Sequence, residues 1–245
     1  MHPMPVEHMP ARSLSMQMPR AGGGRFLVLS SVVLGPLLVA MLVVLLSPLH
    51  TLLPFGRTAS THTPTATPTP AERTLFSEPL TSTSDRNWPN DSQCSQAADG
   101  FHVKANVVCY LSRYTPPPDA NISVDVKQVS GLADASYGVA FHRVSQGNFY
   151  TFEINGSGLW FFFKAQNGQI KLVAGQTMSR AIRKGLNATN TLAVRITGSH
   201  YAFLVNGQVV GTGNDSSFGS GLTGLEGNDQ IELVYTNFKV TKTVS

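Results

Sequence analysis

Charge is scarce in this chain of 245 residues: Asp, Glu, Lys and Arg make up 13% of it. The scarcity is sharpest from Phe26 to Gly56, where no Asp, Glu, Lys or Arg occurs. Cysteine is nearly absent, with only Cys94 and Cys109. No Gly-x-Ser-x-Gly, His-Glu-x-x-His or phosphate-binding glycine loop appears, so a nucleophile elbow, a zinc helix and a nucleotide cradle are not encoded. Basic residues form no stripe. From Ala71 to Ser245, 14 Lys and Arg stand against 13 Asp and Glu, so the positive field that nucleic acid requires is missing. Beyond Thr74 no segment carries the apolar period of an amphipathic helix. Thr177–Leu186 has room for a turn or two at most.

What is present begins with the uncharged run. Phe26 to Ser47 reads FLVLSSVVLGPLLVAMLVVLLS. About 20 apolar residues suffice for a helix to cross a bilayer, and Pro36 would bend such a helix without abolishing it. A transmembrane signal anchor is therefore expected over 26–48, contacting the lipid bilayer through Phe26–Pro48. Arg12, Arg20 and Arg25 precede the run, and only Arg57 follows it closely. Positive charge stays inside. The 1–25 tail is then cytoplasmic, short and without a core, and everything beyond Gly56 is extracellular on a single-pass plasma-membrane protein. The rival is a cleaved signal peptide, with Thr58-Ala59-Ser60 as a weak cleavage site, although its apolar region should span only about 7–15 residues. Met16 or Met18 as an internal start would leave a short basic head. Both versions export the remainder.

Export gives the two cysteines a meaning, because disulfides persist outside the cell. A Cys94–Cys109 bridge is expected, closing a short loop and contributing about 3 kcal/mol in the chain-entropy model. No Cys or His cluster of ligand spacing accompanies them, so no metal site is assigned. Residues 57–73 open on RTASTHTPTATPTPA, where alternating Thr and Pro favour extended backbone and form a stalk. The domain at 74–245 is written in short β-runs separated by Gly, Asn, Asp and Pro.

Candidate strands are Thr74–Leu80, Gly100–Lys104, Val107–Ser112, Ala120–Val129, Tyr137–Val144, Phe149–Ile154, Leu159–Ala165, Ile170–Ala174, Thr191–Thr197, Tyr201–Val205, Gln208–Gly211, Gly221–Glu226 and Ile231–Thr241. Such spacing indicates an all-β sandwich or jelly roll. Asn206-Gly207 favours the type I′ turn of a tight hairpin. Asn155-Gly156-Ser157-Gly158 and Asn167-Gly168 make Phe149–Ala174 a three-stranded meander. Thr115–Asp119 is a proline-rich link without a strand. Leu159-Trp160-Phe161-Phe162-Phe163 places bulk on both faces of one strand, because successive side chains point opposite ways. One face fills the core, and the other is either covered or left as an aromatic surface.

TyrGlyValAlaPheHisArg (137–143), AsnPheTyrThrPheGluIle (148–154), LeuValAsnGlyGln (204–208), GlyLeuThrGlyLeu (221–225) and ThrAsnPheLysVal (236–240) follow in order. In them the chain resembles the concanavalin A-like lectin/glucanase superfamily, in its laminin-G-like or 3-keto-disaccharide-hydrolase-like branch, over Thr74 to Thr241. The resemblance implies an antiparallel jelly-roll β-sandwich and leaves activity open, since this fold carries lectins, hydrolases and adhesion modules. Glucanases of the superfamily carry Glu-x-Asp-x-x-Glu on one strand. Here Glu153 is followed by Asn155 and Gly158, which argues against that chemistry, and no catalytic residue is assigned. Relatives often hold a structural calcium. The matching places are Glu78 and Thr236, and Thr236 lacks the carboxylate that a hard cation prefers, while Glu226 and Asp229 fall outside the pattern.

A sugar site combines an aromatic platform with hydrogen-bonding groups. Trp160, Tyr150, Tyr201, His142, Arg143 and Arg195 would supply both if they share one sheet face. Against this, aromatics on strands usually fill cores, as expected for Tyr150 and Phe152. His142 and Asp125 read rather as surface strand residues, His200 as a turn residue, and Trp88 as a plug at one end of the sandwich. Asn90, Asn121, Asn155, Asn187 and Asn214 head glycosylation sequons. Three readings compete: a glycan-binding surface module without catalysis, a structural or adhesive ectodomain with a protein partner, and a 3-keto-glycoside hydrolase-like enzyme.

Overall fold

The structure, a computed structural model, describes residues 7–8, 71–81 and 87–244. The expected membrane span at 26–48, and nearly all of the 1–25 tail and 57–73 stalk, lie outside them. Among the described residues no helix is long and apolar enough to cross a membrane. The strands are β1 (Glu7–His8), β2 (Glu72–Glu78), β3 (Cys94–Ala97), β4 (Gly100–Lys104), β5 (Val107–Tyr110), β6 (Asn121–Ser130), β7 (Ser136–Ser145), β8 (Asn148–Asn155), β9 (Leu159–Gln166), β10 (Gln169–Met178), β11 (Thr189–Thr197), β12 (His200–Val205), β13 (Gln208–Asn214), β14 (Leu222–Gly227) and β15 (Glu232–Thr243).

They form two antiparallel sheets. One has seven strands in the order β1-β5-β14-β7-β8-β9-β10. The other has eight, β13-β12-β11-β6-β15-β4-β3 with β2 also on β15. Alternation explains the layering. In β6 every second residue is buried, so Ile122, Val124 and Val126 face inward. The inward faces of both sheets meet in one core that includes Trp88, Phe101, Phe141, Phe152, Phe203 and Phe238.

The Asn-Gly turns behave as their chemistry dictates. Asn206 (φ 51°) and Gly207 (φ 78°) close β12 onto β13, and Asn167 (φ 52°) and Gly168 (φ 78°) close β9 onto β10. The meander β8-β9-β10 is in place. The stretch at 177–186 contains no helix: β10 runs on to Met178, and the following loop is pinned by Asn190, which accepts from the Arg183 N–H at 2.8 Å and donates to the Arg183 carbonyl at 2.9 Å. The short strand β3 had no β-rich sequence to announce it. It pairs with β4, and its Cys94 is bonded to Cys109 of β5, with Cα atoms 5.9 Å apart. The disulfide therefore ties the eight-stranded sheet to the seven-stranded one.

β2 and β15 pair from Glu78↔Phe238 to Glu72↔Thr243, and the Val244 N–H donates to the Ala71 carbonyl at 2.8 Å. At the opposite edge of the other sheet, Glu7 and His8 lie against Val108 and Val107. This pairing and a tail held on the far side of a membrane exclude each other.

Candidate functional site

Strand β9 decides which rings are available. Trp160 and Phe162 point into the core, and Leu159, Phe161 and Phe163 point out of the seven-stranded sheet. The interior accepts the inward pair because β13 is backbone only beneath them. A Cβ on Gly211 would lie 2.1 Å from Cζ2 of Trp160, and one on Gly213 would lie 2.6 Å from Cδ1 of Phe162. Trp160 is 5% exposed, so it is a core residue and not the surface platform that the sequence suggested. Phe161 and Phe163, which were not chosen from the sequence, stack on the outer face with ring centroids 5.5 Å apart.

Register carries this outer face across the sheet. One row runs Phe161, Glu153, Gly138, Glu226, Val108, and the next runs Phe163, Thr151, Ala140, Gly224, Tyr110. The Glu153 carboxylate accepts from Thr151 Oγ1 at 2.6 Å, from Asn228 Nδ2 at 3.1 Å and from the Ser136 hydroxyl. The Arg143 guanidinium covers the Tyr110 ring at 4.3 Å, a cation–π contact. The centre of the face is flat. Gly138 and Gly224 carry no side chain, and a Cβ on Gly224 would press on Val108 and Tyr110 at 2.8 and 2.9 Å. Rings therefore stand at both ends, and the carboxylate, hydroxyl and amide groups between them, on Glu153, Glu226, Thr151 and Asn228, are buried.

His142, Tyr150 and Tyr201 do come together, but inside one end of the sandwich. Tyr150 and Tyr201 have centroids 5.3 Å apart, and His142 lies 6.1 and 6.0 Å from them. A β-bulge between Phe141 and Ser145 gives His142 a φ of 51° and turns its ring inward. Nδ1 meets the Phe218 carbonyl at 3.0 Å, so it is the donor. Burial holds this imidazole below the ordinary histidine range, partly offset by the Phe218 carbonyl and the Pro118 backbone. Tyr150 donates to Asp215 at 2.5 Å, and Lys164 donates to the other oxygen at 2.6 Å. Burial would raise the Asp215 carboxyl, but Lys164, Ser217 and Tyr150 outweigh it and hold the group well below the usual carboxylate range. Burial pushes the Tyr150 phenol well above its ordinary value. This network fastens the loop at 215–220, above which an open groove of about 430 Å³ runs past Pro118, Asp119 and Phe218.

The six residues selected from the sequence are thus divided. His142, Tyr150, Tyr201 and Trp160 are buried. Arg143 stands on the outer face of the seven-stranded sheet, and Arg195 is exposed on β11 of the other sheet. The calcium places do not fit an ion. Both Glu78 oxygens accept from protein groups, one from the Asn87 amide and one from the Trp88 indole, and Thr236 brings no carboxylate. Trp88 plugs the core at 4% exposure, its ring 5.5 Å from Phe101 and 5.2 Å from Phe238. Asn155, in the place of the glucanase aspartate, accepts from the Leu159 N–H at 3.0 Å and so holds a turn.

No family model and no curated protein matches the chain. Solved structures are similar to it. The carbohydrate-binding module CBM66 from Bacillus subtilis is 18% identical, over 63% of this chain and 94% of that one, with a TM-score of 0.55. A Bacillus subtilis protein of unknown function with a galectin-like fold is 15% identical, over 71% and 99%, at 0.53. The catalytic domain of an endo-1,3-β-glucanase (laminarinase) from Thermotoga petrophila is 7% identical, over 72% and 100%, at 0.54. At these identities the likeness shows the fold alone, an antiparallel β-sandwich of the galectin-like kind that these carbohydrate-binding and glucanase domains also have.

Proposed function

We propose that this chain is a cell-surface module, held in the plasma membrane by one span through Phe26–Pro48, that binds carbohydrate on the outer face of its seven-stranded sheet without catalysis. The stacked, half-buried Phe161 and Phe163 rings carry the reading, while Thr151 and Glu153 beside them are buried and bonded to each other. The apolar face of a pyranose packs on rings, and its hydroxyls then need partners to offset desolvation. The fold shared with a carbohydrate-binding module supports it. Anchoring follows from the uncharged apolar run and the arginines before it. An anchored chain with its tail inside the cell leaves the edge of β5 unpaired.

The test is a glycan-array screen of the full chain in mild detergent, beside Phe161→Ala. Binding lost in the variant supports the site. Silence on every sugar removes it and favours a protein partner. A hydrolase reading would rest on Glu153 and Glu226, which stand on either side of Gly138 in one row. Two strand spacings separate their backbones by about 10 Å, wider than the roughly 5–9.5 Å between the paired carboxyl groups of glycosidases, and both side chains are fully buried. Release of reducing ends from β-glucans that Glu226→Gln abolishes would favour the enzyme.

A further inference from the structure

The tip of the β9–β10 hairpin carries a second feature that the outer face does not use. Lys164 stands directly opposite Lys171, and Gln166 directly opposite Gln169. Residues two apart on a strand share a face, so all four side chains project from the face that bears Trp160 and Phe162. The core ends before they do: Phe162 is fully buried, whereas Gln166, Gln169 and Lys171 are exposed. Between them lies a groove of about 340 Å³ lined by Lys164, Gln166, Asn167, Gln169 and Lys171.

Every one of those side chains presents N–H donors, and no carboxylate lines the groove. Like charges directly opposite on paired strands repel. Asp215 and Ser217 relieve the pair from one side, accepting from Lys164 Nζ at 2.6 and 3.0 Å. Lys171 has no carboxylate partner among the described residues. One cation of a repelling pair is therefore left for an anion to neutralise. The two rungs are about 7 Å apart along the strands, so a ligand held at the lysine rung continues across the amide rung. The Asn167-Gly168 turn fixes the tip in this form.

We infer that this hairpin tip is a binding site for acidic polysaccharide, with the lysine rung holding a carboxylate or sulfate group and the glutamine rung holding hydroxyls of the adjoining sugar. It shares with the function proposed above only the premise that the ligand is a glycan, and it names a different face and a ligand class.

The test uses the full chain in mild detergent with three probes: oligogalacturonate, dextran sulfate and neutral dextran. Oligogalacturonate or dextran sulfate should bind in a salt-sensitive manner, and neutral dextran should not bind at this tip. Lys171→Glu, and separately Gln166→Ala with Gln169→Ala, change exposed side chains only, and an unchanged melting temperature verifies their folding. Lys171→Glu should weaken the acidic probe about tenfold, as loss of one charge-assisted hydrogen bond does. The relative affinity of the two acidic probes tells uronate from sulfate ester. Absence of binding to both, or equal binding by Lys171→Glu, overturns the inference. Neutral-sugar binding that Phe161→Ala abolishes, with no acidic binding, removes this inference and leaves the outer-face site standing. Acidic binding lost in Lys171→Glu but untouched by Phe161→Ala does the reverse.

Discussion

Gly211 and Gly213 show how a side chain's absence determines what its neighbours do. Their missing methyl groups are the space that the Trp160 and Phe162 rings occupy. Gly211→Ala should cost about 1–3 kcal/mol by overpacking. Trp160→Phe in the same chain should recover part of that loss, since contacting sites are non-additive. Urea unfolding of the four variants measures this, and strict additivity would place the indole elsewhere. His142 yields a second prediction at this scale. Its folded pKa lies below the ordinary value of 6.5, so the unfolded chain takes up the proton first. The stability it contributes is complete above pH 6.5 and is lost as the pH falls below it. The melting temperature of the wild type should therefore fall more steeply than that of His142→Gln from pH 6.5 toward the carboxylate range, and parallel curves would refute this. Residue identities alone showed that five bulky side chains in a row must load both faces of β9. They did not say which ring went where, because that choice is made by glycines fifty residues away on β13.

Among elements, strands with alternation or Asn-Gly turns were legible, and β4 is present as read, at Gly100–Lys104. β3 was not legible. Its CSQA sequence has little intrinsic β preference, and pairing with β4 and the bridge from Cys94 hold it in place. Replacing both cysteines by alanine should lower stability by about 3 kcal/mol for a closure of 15 residues. Calorimetry of the double variant checks this, and an unchanged transition would mean that the bridge does not restrain the unfolded chain. The bulge in β7 was equally hidden. No local sequence signal turns His142 inward, and so His142 read as a surface residue beside Arg143, while the structure buries the imidazole and leaves the guanidinium on Tyr110.

At the scale of the whole molecule, periodicity and turn chemistry were enough for an all-β sandwich, because inward and outward residues alternate along the sequence itself. The outer-face site was harder to read. Tyr110, Thr151, Glu153, Glu226 and Phe161 come from four strands and meet only through register, which one sequence does not state. The placement of the chain in a membrane is decided by extraction: full-length protein should stay with the membrane in alkaline carbonate, and protease applied to intact cells should remove the domain. Release into carbonate would instead favour the pairing of Glu7 and His8 with β5. The pairing of β2 with the end of β15 has one more consequence. Because the backbone enters and leaves the domain side by side, with Val244 bonded to Ala71, a few residues could splice these ends together. New termini opened at the Asn206-Gly207 tip would then give a permuted polypeptide that builds the same sandwich with its order of synthesis changed.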